Sequence, residues 1–314
     1  MSGHDWLSIH LFQRGDLDPL LVDLVPALLD ELREEKLAEE VFFLRYWEGG
    51  NHLRLRVRPA PGASRRRLAA RLGSRCRDHL GGRPLTGEDT QAAYAHRAAL
   101  AARWEGRSGY ARRLRPENTA HFVPYRREPE RYGTGAAMDA VERHFVESSL
   151  LALRVLPRTP PAQRVTVALC AILTTWLVCQ PDPATLAPLL RIMPGPVPAP
   201  DDAFARQHDR LMAITGQVRQ VIAATGTLPP EHVLGGWATS VTRLRDGLTA
   251  ELHAGRFTPP ARGWEGTGAA GNGVLPVLDI CAHLFCNRLG LTVGQEAYVR
   301  DMAVRAVHEL EVPR

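Results

Sequence analysis

Val41-Phe42-Phe43-Leu44-Arg45-Tyr46-Trp47-Glu48-Gly49-Gly50-Asn51-His52-Leu53-Arg54-Leu55-Arg56-Val57-Arg58 reads as two strands joined by a tight turn. The first seven residues are rich in aromatic and β-branched side chains, which suit a pleated, half-buried surface. Glu48-Gly49-Gly50-Asn51 has the turn chemistry of a hairpin, and the residues after it alternate strictly. A period of two places His52, Arg54, Arg56 and Arg58 on one face and Leu53, Leu55 and Val57 on the other. The apolar set belongs on a core. The other face is a row of guanidinium groups about 6–7 Å apart. Like charges in a row repel unless something negative lies over them, and arginine forks bind carboxylates in bidentate fashion. The row is either a platform for a carboxylate or phosphate, or a solvated face with acidic neighbours.

Upstream of the hairpin, Trp6 to Phe12 alternates and predicts a strand. Asp18-Pro19 opens a helix with Asp as N-cap. Its apolar stripe is Leu21, Leu24, Val25, Leu28, Leu29 and Leu32, and Pro26 predicts a kink. Downstream, Gly62 to Arg115 is arginine- and alanine-rich and reads as helix with loops. Ala120 to Val123 is a further strand. Helices follow over about 136–156, with Met138, Val141, Phe145, Ala152 and Val155 inward, and over about 161–179. Met193 to Pro200 is a stiff proline-rich connection. Two helices lie within 202–224 and 230–253, and a glycine-rich loop from Arg256 to Gly273 precedes a last helix pair. The expected fold is α+β, with a small antiparallel sheet packed with helices in the N-terminal half and a mainly helical C-terminal half. Residues 1–314 read as a single domain with a candidate sub-boundary near 193–201.

The chain has 314 residues, 45% hydrophobic and 23% charged, with net charge +5. These are the proportions of a globular domain rather than a disordered chain. Of its cations only Lys36 is a lysine. The arginines crowd between Arg54 and Arg131, which suits an anionic partner. A GC-rich genome accounts for the arginine bias but not for its placement. The five cysteines are odd in number and form no CxxC pair, which argues against a disulfide framework or a zinc site. The N-terminus lacks the build of a signal peptide, and Val165–Val178 is too short to span a membrane. The expectation is a cytoplasmic protein with no metal or other cofactor, no membrane partner and no direct contact with nucleic acid.

Two more segments carry candidate chemistry. Pro124-Tyr125-Arg126-Arg127-Glu128-Pro129-Glu130-Arg131-Tyr132-Gly133 mixes aromatic, basic and acidic residues before a helix; taken alone it is equally a salt-bridged loop. Leu278 to Gly290 reads as a helix ending at glycine. One face carries Leu275, Leu278, Ala282, Phe285 and Leu289; the other carries Asp279, His283, Cys286 and Asn287. An imidazole so flanked is either a proton-transfer group or a structural histidine. Gly266-Thr267-Gly268-Ala269-Ala270-Gly271 matches GxGxxG but follows no strand, so it reads as loop glycine rather than a dinucleotide site. Neither a GxSxG elbow nor a Walker loop occurs.

Four motifs occur in order: Phe43-Leu44-Arg45-Tyr46; His52-Leu53-Arg54-Leu55-Arg56; Tyr125-x-Arg127-Glu128-x-x-Arg131-Tyr132-Gly133; and His283-x-x-x-Asn287-Arg288-Leu289. Together they resemble the lantibiotic dehydratase C-terminal family, also called the thiopeptide-type bacteriocin biosynthesis domain, over nearly the whole chain. The resemblance implies an enzyme that tailors a ribosomally made precursor peptide. It would remove the α-proton from a glutamylated Ser or Thr and expel glutamate, giving dehydroalanine or dehydrobutyrine. His283 would transfer the proton, and Arg54, Arg56 and Arg131 would bind glutamate or the enolate. Arg45, His52, Arg127 and Asn287 would assist in substrate binding. A separate glutamyl-tRNA-dependent glutamylating subunit is the implied partner.

Two departures qualify the resemblance. The family pattern often has an acidic or neutral residue where Arg126 stands and a second histidine where Phe285 stands. The interval before Tyr125, roughly Pro84 to Pro116, is also longer than in fused dehydratases. Two alternatives follow. One is a pyridine synthase that joins two dehydroalanines in a formal [4+2] cycloaddition and releases the leader peptide; the other is a non-catalytic subunit that binds the leader.

Overall fold

The alternation around the hairpin becomes one antiparallel sheet. Its strands are β1 (Leu7–Phe12), β2 (Ala38–Tyr46), β3 (His52–Pro59) and β4 (Thr119–Phe122), in the order β2-β3-β1-β4. The computed structural model describes residues 6–85, 90–104, 109–191, 201–229, 231–259 and 273–311. Its contacts separate a first unit ending at Arg126 from a second beginning at Arg127.

In the first unit, cross-strand register assigns the two sheet faces. Val41, Phe43, Leu53, Leu55, Val57, Ile9 and Leu11 are buried together. On this side pack α1 (Val25–Glu34), which contacts β2, and α2 (Arg65–Gly81), which contacts β1 and β4. Ser64 caps α2, its side chain accepting from the Arg67 amide. The entry to α1 differs from expectation. Leu20–Leu24 forms a π-helical turn before α1 starts at Val25. Pro26, in the first turn of α1, has no N–H to return to the preceding turn, and the ladder widens there instead of breaking. Asp18 does not cap the helix. Its carboxylate instead accepts from Arg45 Nη2 at 2.6 Å, and no side-chain cap bond is made at that end. Exposed Lys36 turns the chain from α1 into β2 with φ of 53°, a conformation usually left to glycine.

The hairpin turn needs both of its glycines, with φ of 78° at Gly49 and 111° at Gly50. It is braced by α3 (Gln91–Trp104) and the segment after it. Buried Tyr94 accepts from the Gly49 amide at 2.8 Å and donates to the Ala111 carbonyl at 2.5 Å. The Arg115 amide donates to the Gly49 carbonyl at 2.7 Å. Tyr94 and Arg115 thus buttress the turn between β2 and β3.

The second unit is helical. It comprises α4 (Pro129–Tyr132), α5 (Gly135–Val155), α6 (Pro161–Cys179), α7 (Pro183–Arg191), α8 (Asp201–Ala205), α9 (His208–Ala223), α10 (Val233–His253), α11 (Leu275–Leu289) and α12 (Val293–Glu311). The inward residues expected on α5 are all buried. α6 spans the residues expected from sequence, and by length and composition alone it could cross a membrane. It packs instead among α9, α10, α11 and α12 with most of its length buried, as the central helix of a globular unit. α7 was not expected. Asp182 starts it by accepting from the Ala184 amide and the Thr185 hydroxyl. The proline-rich connection at 193–200 and most of the 256–273 loop, including the GxGxxG string, lie outside the described residues.

Candidate functional site

The sheet face opposite the helices carries the arginine row, and its charges are neither bare nor simply solvated. Arg54 lies over the Tyr46 ring with 3.3 Å from guanidinium carbon to ring centre. Arg56 is 7% exposed and lies beside Phe42 and Tyr125, at 5.5 and 5.7 Å. Arg58 covers Trp6 at 4.3 Å and pairs with Glu40 at 2.5 Å. Stacking on the flat face of a guanidinium leaves its in-plane N–H edge as the donor surface, so the rings fix the orientation in which each arginine meets an anion. Arg54 also has Glu48 at 3.8 Å.

Register brings three imidazoles onto this face. Phe12 faces His52 and His10 faces Arg54, while His10 also faces His121 across β4. His10 stacks on His52 at 5.0 Å and Phe12 on His52 at 4.4 Å. His52 donates from Nδ1 to the Gly50 carbonyl at 2.7 Å, and its Nε2 accepts from Arg54 Nε at 3.3 Å. Burial lowers its pKa to about 4; the Gly50 bond opposes that shift, and the Arg54 and Arg56 charges reinforce it. His10 is lowered to about 2, by burial first, then by His52, Arg56, Arg54 and His121. Both rings are therefore neutral at physiological pH. Arg45 is not part of this face. It pairs with Leu53, on the opposite side of the sheet, in its ion pair with Asp18.

In the second unit the proton-transfer candidate has a partner that the helix pattern did not disclose. His283 Nδ1 is 2.8 Å from Glu296 Oε2. A carboxylate only accepts, so Nδ1 carries a proton, and in the neutral form of the ring Nε2 keeps its lone pair. The His283 side chain is 54% exposed whereas that of Glu296 is 11% exposed. Burial alone would raise the Glu296 pKa, but the His283 bond and the His283 and Arg300 charges outweigh it and hold the carboxyl below its usual range. Arg300 bonds Glu296 Oε1 at 2.8 Å and Asp279 Oδ1 at 2.7 Å, and Asp279 also accepts from Trp176 Nε1 at 2.8 Å. Asp279 thus acts on α12 and α6, and Glu296 rather than Asp279 orients the histidine. Cys286, expected beside His283 on the polar face, is fully buried, and burial raises its thiol pKa. Asn287 is half-buried.

The motif at 125–133 divides at Arg126. Arg127 is gripped within the second unit. Its Nε and Nη2 donate to Glu142 at 2.9 and 2.7 Å, and Nη2 donates also to Asp139 at 2.7 Å. Arg131 is 60% exposed beside Glu128 at 3.4 Å, on the single turn α4. Gly133 ends that turn with φ of 81°. Arg288, quoted in the motif but given no role from sequence, is fully buried. Its Nε donates to Ser149 Oγ at 3.0 Å, and burial lowers its pKa to about 10. The residues thus gather in two sets. Arg54, Arg56 and His52 share one sheet face in the first unit, joined by His10 and His121, which the sequence reading passed over. His283, with Glu296 and Arg300, lies on α11 and α12 of the second unit. Only β1–β3 pairing could have revealed His10, but the Glu296–Arg300 spacing of four was visible as a helical ion pair. Among the described residues, no group of His, Cys, Asp and Glu converges to hold a metal ion.

A four-stranded antiparallel sheet bearing a stacked arginine face, followed by a helical unit with a carboxylate-held histidine, defines an α+β protein. Residues 6–307 match the lantibiotic biosynthesis dehydratase C-terminal family, and the chain belongs to that family. No curated protein matches it. Its fold is similar to that of the pyridine synthase TbtD from thiomuracin biosynthesis, with 20% identity and a TM-score of 0.70 over 98% of this chain and 99% of that one. It is also similar to the tRNA-dependent lantibiotic dehydratase MibB from Microbispora sp. 107891, with 22% identity and a TM-score of 0.62. There 99% of this chain corresponds to 28% of the larger protein. A third similar structure is TsrL, with 18% identity and a TM-score of 0.59 over 98% of this chain and 95% of that one. The family supports a role in the tailoring of ribosomally made peptides.

Proposed function

We propose that this chain eliminates glutamate from glutamylated Ser or Thr residues of a precursor peptide, working with a separate glutamylating subunit. The observation that carries the reading is the pair Arg54 and Arg56, neighbouring cations on one strand face held by Tyr46, Phe42 and Tyr125. Preorganised guanidinium edges suit a glutamyl carboxylate and the charge of a developing enolate. His283, with Nδ1–H committed to Glu296, offers Nε2 as the base. It would take the Cα proton; the C–H electrons form the Cα=Cβ bond as the Cβ–O bond breaks, and glutamate leaves as its carboxylate. Arg131 is the exposed cation assigned to the same substrate, and Asn287 and Arg127 are supports in the family motifs. That this chain corresponds to 28% of MibB is consistent with glutamylation residing elsewhere.

Mass spectrometry of a glutamylated precursor peptide incubated with the protein tests the reading. Loss of the glutamyl mass with formation of a dehydroamino acid, absent with His283→Ala, is the expected result; an unchanged peptide rejects it. A second reading, formal [4+2] cycloaddition, is favoured by the end-to-end match with a pyridine synthase. A substrate carrying two dehydroalanines, analysed for ring formation and leader release, tests it in the same assay.

A further inference from the structure

The arginine face has a second row that no motif includes. Ser8 and His10 on β1 lie directly across from Arg56 and Arg54 on β3, and residues directly opposite share a sheet face. The Ser8 side chain is buried, at 4% exposure, and its hydroxyl has no hydrogen-bond partner among the described residues. A buried hydroxyl without a partner is costly, and a bound group that supplied a partner would remove that cost. His10 is half-buried. Its ring is held in place by stacking on His52 rather than by a hydrogen bond.

We propose that Ser8 and His10 are carboxylate-binding residues, neutral hydrogen-bond donors that complete with Arg54 and Arg56 a four-donor site for an aliphatic carboxylate. The assignment deepens the elimination reading, on which the identification of that carboxylate as a glutamyl group rests. The division of labour follows from charge. Two guanidinium groups already exceed the single charge of a carboxylate, so a third cation would add repulsion between the donors. A hydroxyl and a neutral imidazole add direction without adding charge. Burial and the neighbouring cations keep His10 in that neutral form.

The test uses the full chain and glutarate, an aliphatic dicarboxylate, as probe. Nitrogen-detected NMR of the histidine rings should show the His10 resonances moving on titration with glutarate, and calorimetry should give an affinity about tenfold weaker for His10→Phe, which keeps the ring stack but removes the N–H. Ser8→Ala should weaken binding by a similar factor. His10 resonances that stay still while glutarate binds, or equal affinities for wild type and both variants, would overturn the assignment, as would the absence of any glutarate binding. The NMR arm needs no variant and so does not depend on the folding of one. Its result also separates the two claims. Glutarate binding at His10 without elimination of a glutamylated peptide removes the proposed reaction and keeps the site. Elimination that is indifferent to Ser8 and His10 keeps the reaction and removes the site.

Discussion

Glu296 decides which nitrogen of His283 carries the proton, and it does so from a different helix. Glu296→Gln would keep a hydrogen-bonding group at the position but lose the charge that fixes the tautomer and supports the imidazolium. On the elimination reading, the expected outcome is a fall of about 10- to 100-fold in the rate of glutamate release, together with a lower melting temperature, because the largely buried Arg300 loses one of its two charged partners. An unchanged rate would remove Glu296 from the mechanism. At this scale the sequence disclosed the residue types and missed their partners. His283, Arg54 and Arg56 stand out because a charged or titratable residue at regular spacing on an amphipathic element is visible in one dimension. Glu296, Ser8 and His10 act across elements, so their importance arises only after pairing. Arg45 shows the converse. Its place in a motif beside Tyr46 suggested a shared role, but adjacent strand residues point to opposite faces, and it answers Asp18 on the other side of the sheet.

The hairpin and the single turn α4 are the elements whose shape depends on specific partners. Tyr94 ties the hairpin turn to the 84–116 interval through one bond accepted and one donated. Tyr94→Phe leaves the buried Gly49 amide and the Ala111 carbonyl without that partner. It should destabilise the fold by about 1–3 kcal/mol, read as a lower urea midpoint and as faster hydrogen exchange at the Gly49 amide. Gly133 leaves α4 with φ of 81°, and a Cβ there would lie 2.6 Å from Phe257 Cδ2. Gly133→Ala therefore combines a strained backbone with a clash and should cost about 2–4 kcal/mol, measured as a fall in melting temperature. Elements with strong periodicity, the hairpin and the long helices, were legible in the sequence. The π-helical entry to α1 was not, because a proline predicts a disturbance but not whether the helix breaks, bends or widens. α7 was missed because its short proline-containing stretch has little periodicity to detect.

Taken as a whole, the molecule stores several neutral histidines. The pKa values of His52, His144 and His10 are lowered to about 4, 3 and 2 from 6.5, burial being the largest cause for each. Below about 6.5 the unfolded chain therefore binds protons that the folded chain refuses, so stability falls with pH across this range. Thermal melts between about pH 7.5 and 5.5, a range above ordinary carboxylate titration, should show a steadily falling midpoint. His144→Phe, which removes a ring buried against Trp237 and bonded to Ser240, should flatten that dependence even where it lowers the midpoint itself. A slope identical in the variant would mean that other groups carry it. The α+β layout was legible at this scale, because alternation gives way to helical periodicity along the chain. The unit boundary at Arg126 was not, since it falls inside a motif and has no linker composition to mark it.

Lys36 has a use that its conformation makes available. It is the single lysine of the chain, exposed in the turn that follows α1. A reagent directed at side-chain amines has one address on this protein, in a helix-to-strand turn. A fluorophore or a surface tether attached there would report on every molecule from the same point.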